Sequence, residues 1–240
     1  MIINITNQQI LGAGGFGLVI ETDTKLSLKL LKDIDACKNL KHENDIQKRI
    51  EKVLLPHYNE ENPPAKVPHI HEEFNGVITV KLNDIKKDYL CGILMDRIQP
   101  LYDNLQYHLA FGCEFDDDIN TIHYVNNTQE PRGFYGSVDN LIKLIEKNSL
   151  QIQGTDPEIF IQNLVIRMAK TYRYLLEENI IPYDIEFVLD KNLQLWCLDF
   201  GLCYEINNSK DKNILIATIL QNNDYIPCYK YLKEIFDKEF

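Results

Sequence analysis

The sequence predicts an α+β chain in two lobes, a small antiparallel sheet followed by a reduced, mostly helical part. Three observations carry this reading. Up to Met95 the chain is mostly short strand-like runs rich in apolar and β-branched residues, with one helical stripe among them. Beyond that point the longer 3.6-residue stripes appear, chiefly Pro157 to Glu178. Asp96-Arg97-Ile98-Gln99-Pro100 breaks the pattern between them, so the parts are drawn at 1–98 and 99–240.

In order, Ile3 to Leu11, Gly17 to Thr22 and Leu26 to Leu31 read as strands. Between the first two lies Gly12-Ala13-Gly14-Gly15-Phe16-Gly17, where missing Cβ atoms let backbone turn tightly and approach a ligand. Gly12, Gly14, Gly17 and Val19 fit Gly-x-Gly-x-x-Gly-x-Val. A dinucleotide-binding fingerprint needs a helix straight after the glycines. Leu18-Val19-Ile20-Glu21-Thr22 is strand-like instead, which favours a hairpin laid over phosphates. Lys29 sits on an apolar strand, where a lysine is costly without a partner. It is either an outward lysine on an edge strand or a phosphate-binding lysine held by a glutamate of the next helix. That helix runs from Asp33 to about Tyr58, with Leu40, Ile46, Ile50, Val53 and Leu54 as its apolar stripe. Glu43 is the favoured partner and Glu51 the alternative. Asn59 to Pro64 is a loop, and Ile70–Phe74, Val77–Leu82 and Tyr89–Met95 are further strands. The break after Met95 is a hinge, whose backbone groups at Asp96 and Ile98 are candidates for binding an adenine edge.

In the second part Leu105–Phe111 reads as helical and Ile119–Val125 as a strand. Ser137–Asn148 and Pro157–Glu178 read as helices, with Ser137 and Asp156 as caps and Pro157 at a first helical position. A hairpin turning at Asp190-Lys191-Asn192 follows. Its return strand, Leu195-Trp196-Cys197-Leu198, delivers Asp199-Phe200-Gly201. A carboxylate at the end of a buried strand is suited to holding Mg²⁺ against nucleotide phosphates. Asp184 and Glu186 stand on the loop before the hairpin.

Taken together these residues resemble the protein-kinase fold. The likeness rests on Gly12, Gly14, Gly17, Val19, Lys29, Glu43, the Met95–Ile98 hinge, Asp184 and Asp199-Phe200-Gly201, in kinase order. A closer similarity is to a kinase-like domain of unknown function found mainly in fungal proteins. It lies in Ile93–Ile98, Asp184–Leu189, Leu198–Phe200 and Asn223–Pro227. The resemblance implies ATP and Mg²⁺ as cofactors. Gly12, Gly14, Gly17, Val19, Lys29, Asp96 and Ile98 would contact the nucleotide, with Glu43 holding Lys29. Asp199 and Glu186 would hold the metal, and Asp184 would be the catalytic base. The sequence departs from the family at Pro182-Tyr183, where kinases carry His-Arg. Counted forward from Asp184, Leu189 stands where they carry Asn; counted back from Asp199, Glu186 does, in a loop about three residues short; and no Ala-Pro-Glu follows Gly201. Two functions follow: an atypical phosphotransferase acting on a protein or small-molecule hydroxyl, or a pseudokinase that binds nucleotide or partners.

Lys and Arg total 25 against 36 Asp and Glu, a net charge of −11, which argues against non-specific binding of nucleic acid or membrane surfaces. Hydrophobic residues at 45% place the chain among globular proteins. Met1-Ile2-Ile3-Asn4 lacks the basic start of a signal peptide, and no apolar run is long enough to span a bilayer. The six cysteines show no Cys-x-x-Cys spacing and read as free thiols of a reducing, cytoplasmic compartment.

Overall fold

The computed structural model describes residues 2–6, 9–13, 17–22, 25–83, 85–99, 108–110, 114–116, 121–123, 133–135, 156–183, 185–206 and 230–240. Gly14, Asp184, the helix expected at 137–148 and the segment 223–227 lie outside them. The chain forms two compact units. One comprises Met1–Glu51 with Pro68–Gln99, the other Lys52–Val67 with Pro100–Phe240. The class is α+β, as the sequence predicts.

The first unit is built on a six-stranded sheet. Its strands are β1 (Ile2–Ile5), β2 (Ile10–Ala13), β3 (Gly17–Glu21), β4 (Leu26–Leu31), β5 (Ile70–Leu82) and β6 (Ile85–Asp96), in the order β1-β5-β6-β4-β3-β2. The first predicted strand is two, split around Thr6. β1 leaves its neighbour in sequence and pairs in parallel with the far half of β5, Ile2 opposite Thr79. The two strands expected at 70–74 and 77–82 are one. Their shared pairing with β6 shifts register between Asn75 and Ile78, where Gly76 adopts φ +114°. A bulge of this kind bends a strand without ending it.

Alternation gives the sheet two buried faces. Leu18, Ile20, Leu28, Leu30, Ile78, Val80 and Tyr89 pack with Ile5 on one. Leu31, Leu40, Ile70, Cys91 and Ile93 pack on the other, beneath helix α1 (Ile34–Leu54). Asp33 starts that helix. Its Oδ1 accepts from the backbone N–H groups of Asp35 (2.7 Å) and Ala36 (3.1 Å), an N-cap worth about 1 kcal/mol. A 3₁₀ turn, Leu55–His57, takes over where the sequence suggested continued α-helix, because Pro56 ends the i→i−4 ladder. A disulfide joins Cys37 of α1 to Cys91 of β6. This corrects the reading of six free thiols. The two cysteines are 54 residues apart, and only the seating of α1 on β6 brings them together. Cys197 and Cys203 are buried thiols outside that disulfide.

The second unit holds helix α2 (Pro157–Glu177), helix α3 (Lys230–Glu239) and short strand pairs. The pairs are β7 (His108–Ala110) with β10 (Gly133–Tyr135), β8 (Glu114–Asp116) with β9 (Thr121–His123), β11 (Ile180–Ile181) with β14 (Tyr204–Glu205), and β12 (Glu186–Leu189) with β13 (Leu195–Leu198). His108–Ala110 is therefore strand where a helix was expected. Its hydrogen-bonding partner is distant in sequence, and tertiary pairing overrides weak local preference. α2 buries Ile161, Leu164, Val165, Met168, Tyr172, Leu175 and Leu176, the i, i+3, i+4, i+7 set of one face. The ring of Phe236 on α3 lies 6.0 Å from that of Tyr172.

Residues 52–67 belong to this unit because their polar groups are satisfied there. The Lys66 N–H donates to Leu195 O (2.9 Å), and the Cys197 N–H donates to Lys66 O (2.8 Å). The Ala65 N–H donates to Thr171 Oγ1 (2.8 Å), and Arg167 Nε donates to Pro63 O (2.8 Å). Among the described residues, no helix is long and apolar enough to cross a membrane.

Candidate nucleotide and metal site residues

Cross-strand register places four residues in one row on the α1 face. Gly12 stands opposite Val19, Val19 opposite Lys29, and Lys29 opposite Ile93. Directly opposed residues in antiparallel strands share a face, so Lys29 lies between two β-branched side chains with α1 across from it. Its ammonium meets the carboxylate of Glu43 at 2.7 Å. The Lys29 side chain keeps 28% exposure and that of Glu43 16%, so the pair is partly desolvated. Glu51, the alternative partner, instead lies 2.9 Å from Nδ1 of His69.

Gly17 has a further reason to be glycine. A Cβ there would sit 2.2 Å from the carbonyl oxygen of Leu30, a clash with backbone that cannot yield. β3 therefore lies against β4 only with glycine at this position.

Asp96 closes β6. Its N–H donates to His69 O (3.0 Å), and its carboxylate accepts from the His69 N–H (3.1 Å) and lies 2.8 Å from His71 Nε2. The next N–H, of Arg97, donates to Lys25 O (2.7 Å), and the Arg97 guanidinium pairs with Glu21 at 2.5 Å. These backbone donors are thus engaged within the unit. Sequence reasoning missed both this histidine–carboxylate cluster and Ile93. His69-Ile70-His71 alternates at strand spacing, but nothing local names Asp96 as its partner.

In the second unit the β12–β13 hairpin carries the acidic candidates. Glu186 is opposite Leu198, so Glu186 and Asp199 emerge from the same end of the hairpin. Asp199 is exposed and adopts φ +57°. The left-handed region costs a non-glycine residue on the order of 1 kcal/mol, least for Asp and Asn. Phe200, 1% exposed, anchors the next position in the core. The other end of the hairpin is pinned by Asp190. Its carboxylate accepts from the N–H groups of Asn192 (2.8 Å) and Gln194 (2.9 Å) and from Trp196 Nε1 (2.9 Å). Burial lowers the Arg167 guanidinium to about 10, against the opposing pull of Asp190. Leu189 is buried in β12 opposite Leu195.

Oxygen donors alone suit Mg²⁺, which is commonly held by one or two carboxylates together with substrate phosphates. Glu186 and Asp199 fit that limited role. Among the described residues no group of three His, Cys, Asp or Glu side chains forms a self-sufficient metal site.

No family model and no curated protein matches this chain, so the likeness to the fungal domain stays one of residues alone. Solved structures similar to it include the following two. One is the ROP18 kinase domain in complex with AMP-PNP and sucrose, at 18% identity over 83% of this chain and 52% of that one, TM-score 0.42. The other is ROP2 from Toxoplasma gondii, a virulence factor with a protein-kinase fold and no enzymatic activity. It is 12% identical over 82% of this chain and 49% of that one, TM-score 0.45. The chain spans about half the length of each.

Proposed function

We propose that this chain binds Mg-ATP and transfers its γ-phosphate to a hydroxyl of a protein or small molecule. The observation that carries the reading is the Lys29–Glu43 pair, in a row with Val19 and Gly12. A lysine held by a helix glutamate beside a glycine-containing hairpin is suited to α- and β-phosphate oxygens. The Gly12–Gly17 hairpin would cover the phosphates, and Ile98 and Asp96 would border the adenine. Glu186 and Asp199 would hold the metal, which supplies charge neutralisation at the phosphates when bound. Asp184 would accept the acceptor's proton as its oxygen bonds to phosphorus and the bond to ADP breaks.

Leu189 supports a second reading, a nucleotide-binding module with impaired transfer. It occupies the place of a metal-binding Asn, and a buried leucine there has no oxygen to offer.

Melting the protein with and without Mg-ATP, beside a γ-phosphate transfer assay, tests both. ATP should raise the melting temperature of the wild type, because a ligand that binds only the native state stabilises it. Lys29→Met should remove that rise, and a full rise in this variant would remove Lys29 from the site. Asp184→Asn should keep the rise and lower transfer roughly a hundredfold, the scale of a lost general base. Binding without any transfer by the wild type would favour the impaired module.

A further inference from the structure

The face of the sheet opposite Lys29 encloses a second feature. A cavity of about 320 Å³ lies between β2–β3 and the far half of the β5–β6 hairpin, lined by Ile5, Ile10, Leu18, Val80 and Leu82. That volume falls in the range of small-molecule pockets, roughly 300–1,000 Å³. Three polar side chains also line it: Lys32, Lys87 and Tyr89. Lys87 stands opposite Val80 in the β5–β6 register and so shares the cavity face. Lys32 lies over the Tyr89 ring, 5.8 Å from its centroid. Neither lysine forms an ion pair with a described residue, and among the described residues no carboxylate lines the cavity, although the chain carries 36 acids against 25 basic residues. Tyr89 is 3% exposed, and its hydroxyl makes no hydrogen bond to a described residue.

We propose that this cavity binds a single-chain carboxylate amphiphile of the fatty-acid-anion class, its tail among the aliphatic side chains and its carboxylate on Lys32, Lys87 and the Tyr89 hydroxyl. Two point charges and one neutral donor match a two-oxygen monoanion. Among the described residues, neither an arginine fork nor a helix N-terminus, the usual devices for a phosphate dianion, lines the cavity. Burial raises the Tyr89 pKa, which keeps the phenol a donor. The cavity lies on the other face of the sheet from the Lys29–Glu43 pair, since Leu18 and Leu30 face away from Val19 and Lys29 along the same strands, although Gly17 of the proposed phosphate hairpin also lines it.

The test is calorimetric titration of the full chain with decanoate, 1-decanol and decyl phosphate. Decanoate should bind saturably at one per chain and at least tenfold tighter than 1-decanol. Lys87→Glu changes an exposed side chain, so the fold should persist while decanoate binding weakens tenfold or more. Tyr89→Phe keeps the packed ring and should weaken it several-fold. The proposal is overturned if decanoate fails to saturate, if 1-decanol binds as well, if decyl phosphate binds tighter, or if Lys87→Glu retains full affinity.

Discussion

Asp199 combines two requirements that separate under mutation. Its backbone needs a residue that tolerates φ +57°, and its exposed carboxylate is the proposed metal ligand. Asn meets the first requirement and lacks the charge that a hard cation needs. Asp199→Asn should melt within about a degree of wild type and lose Mg²⁺-dependent nucleotide binding. Undiminished Mg²⁺ dependence, read as the ATP-induced thermal shift with and without the metal, would strike Asp199 from the site. Glu60 shows what the sequence hid at this scale. Burial tends to raise its pKa, but hydrogen bonds from His57, Tyr174 and Lys170 outweigh that and hold it at about 2. A depressed carboxylate stabilises the fold above its ordinary pKa, 4.5, and that contribution is lost as pH falls towards about 2. Acid titration of unfolding should show this loss between those limits, and Glu60→Gln should flatten it. An identical slope in the variant would show that Glu60 is not the group responsible. Asp199 was legible from its strand and the aromatic and glycine after it. Glu60 sits in a loop of acids and prolines, where its partners on α2 leave no local signature.

At the scale of elements, periodicity located β3, β4, α1 and α2 well, because each has one face to bury and a period that shows it, and it found β6 only from Tyr89, four residues late. It missed the splitting of the first strand and the parallel pairing of β1 with β5, since alternation carries no information about partner or direction. The Cys37–Cys91 bond was invisible for the same reason. It closes a long loop and fastens α1, which bears Glu43, to β6. Loop-closure entropy assigns such a bond up to about 4 kcal/mol, an upper figure because the reduced chain retains structure. Reduction with dithiothreitol should therefore lower the melting temperature, and Cys37→Ser should melt low with or without reductant. A melting curve that reductant leaves unmoved would mean that the thiols are not joined in solution.

For the whole molecule, the division at 98/99 read from the sequence gives no hint that 52–67 folds with residues far downstream, because the hydrogen bonds responsible are mostly to backbone and any residue type can make them. Ala65 and Val67 are nearly fully buried, and Lys66 bridges to Trp196 as a strand would. A fragment spanning 99–240 should consequently lack cooperative melting, whereas adding a 52–67 peptide in trans should restore part of it. Circular dichroism on the two samples decides this, and a cooperative transition for the fragment alone would refute it.

The same long-range ties set a timetable for synthesis. The Ala65 N–H waits for Thr171, 106 residues later, and Lys66 O for Cys197, 131 residues later. At 5–20 residues per second, a ribosome takes roughly 7 to 26 s to cover the longer interval. Until then the Ala65 N–H and the Lys66 carbonyl lack these partners, although the last strand of the first unit, ending at Asp96, is made early in that interval. A chaperone acting during translation would meet this chain at 52–67, and slower decoding between 171 and 197 would lengthen the exposure.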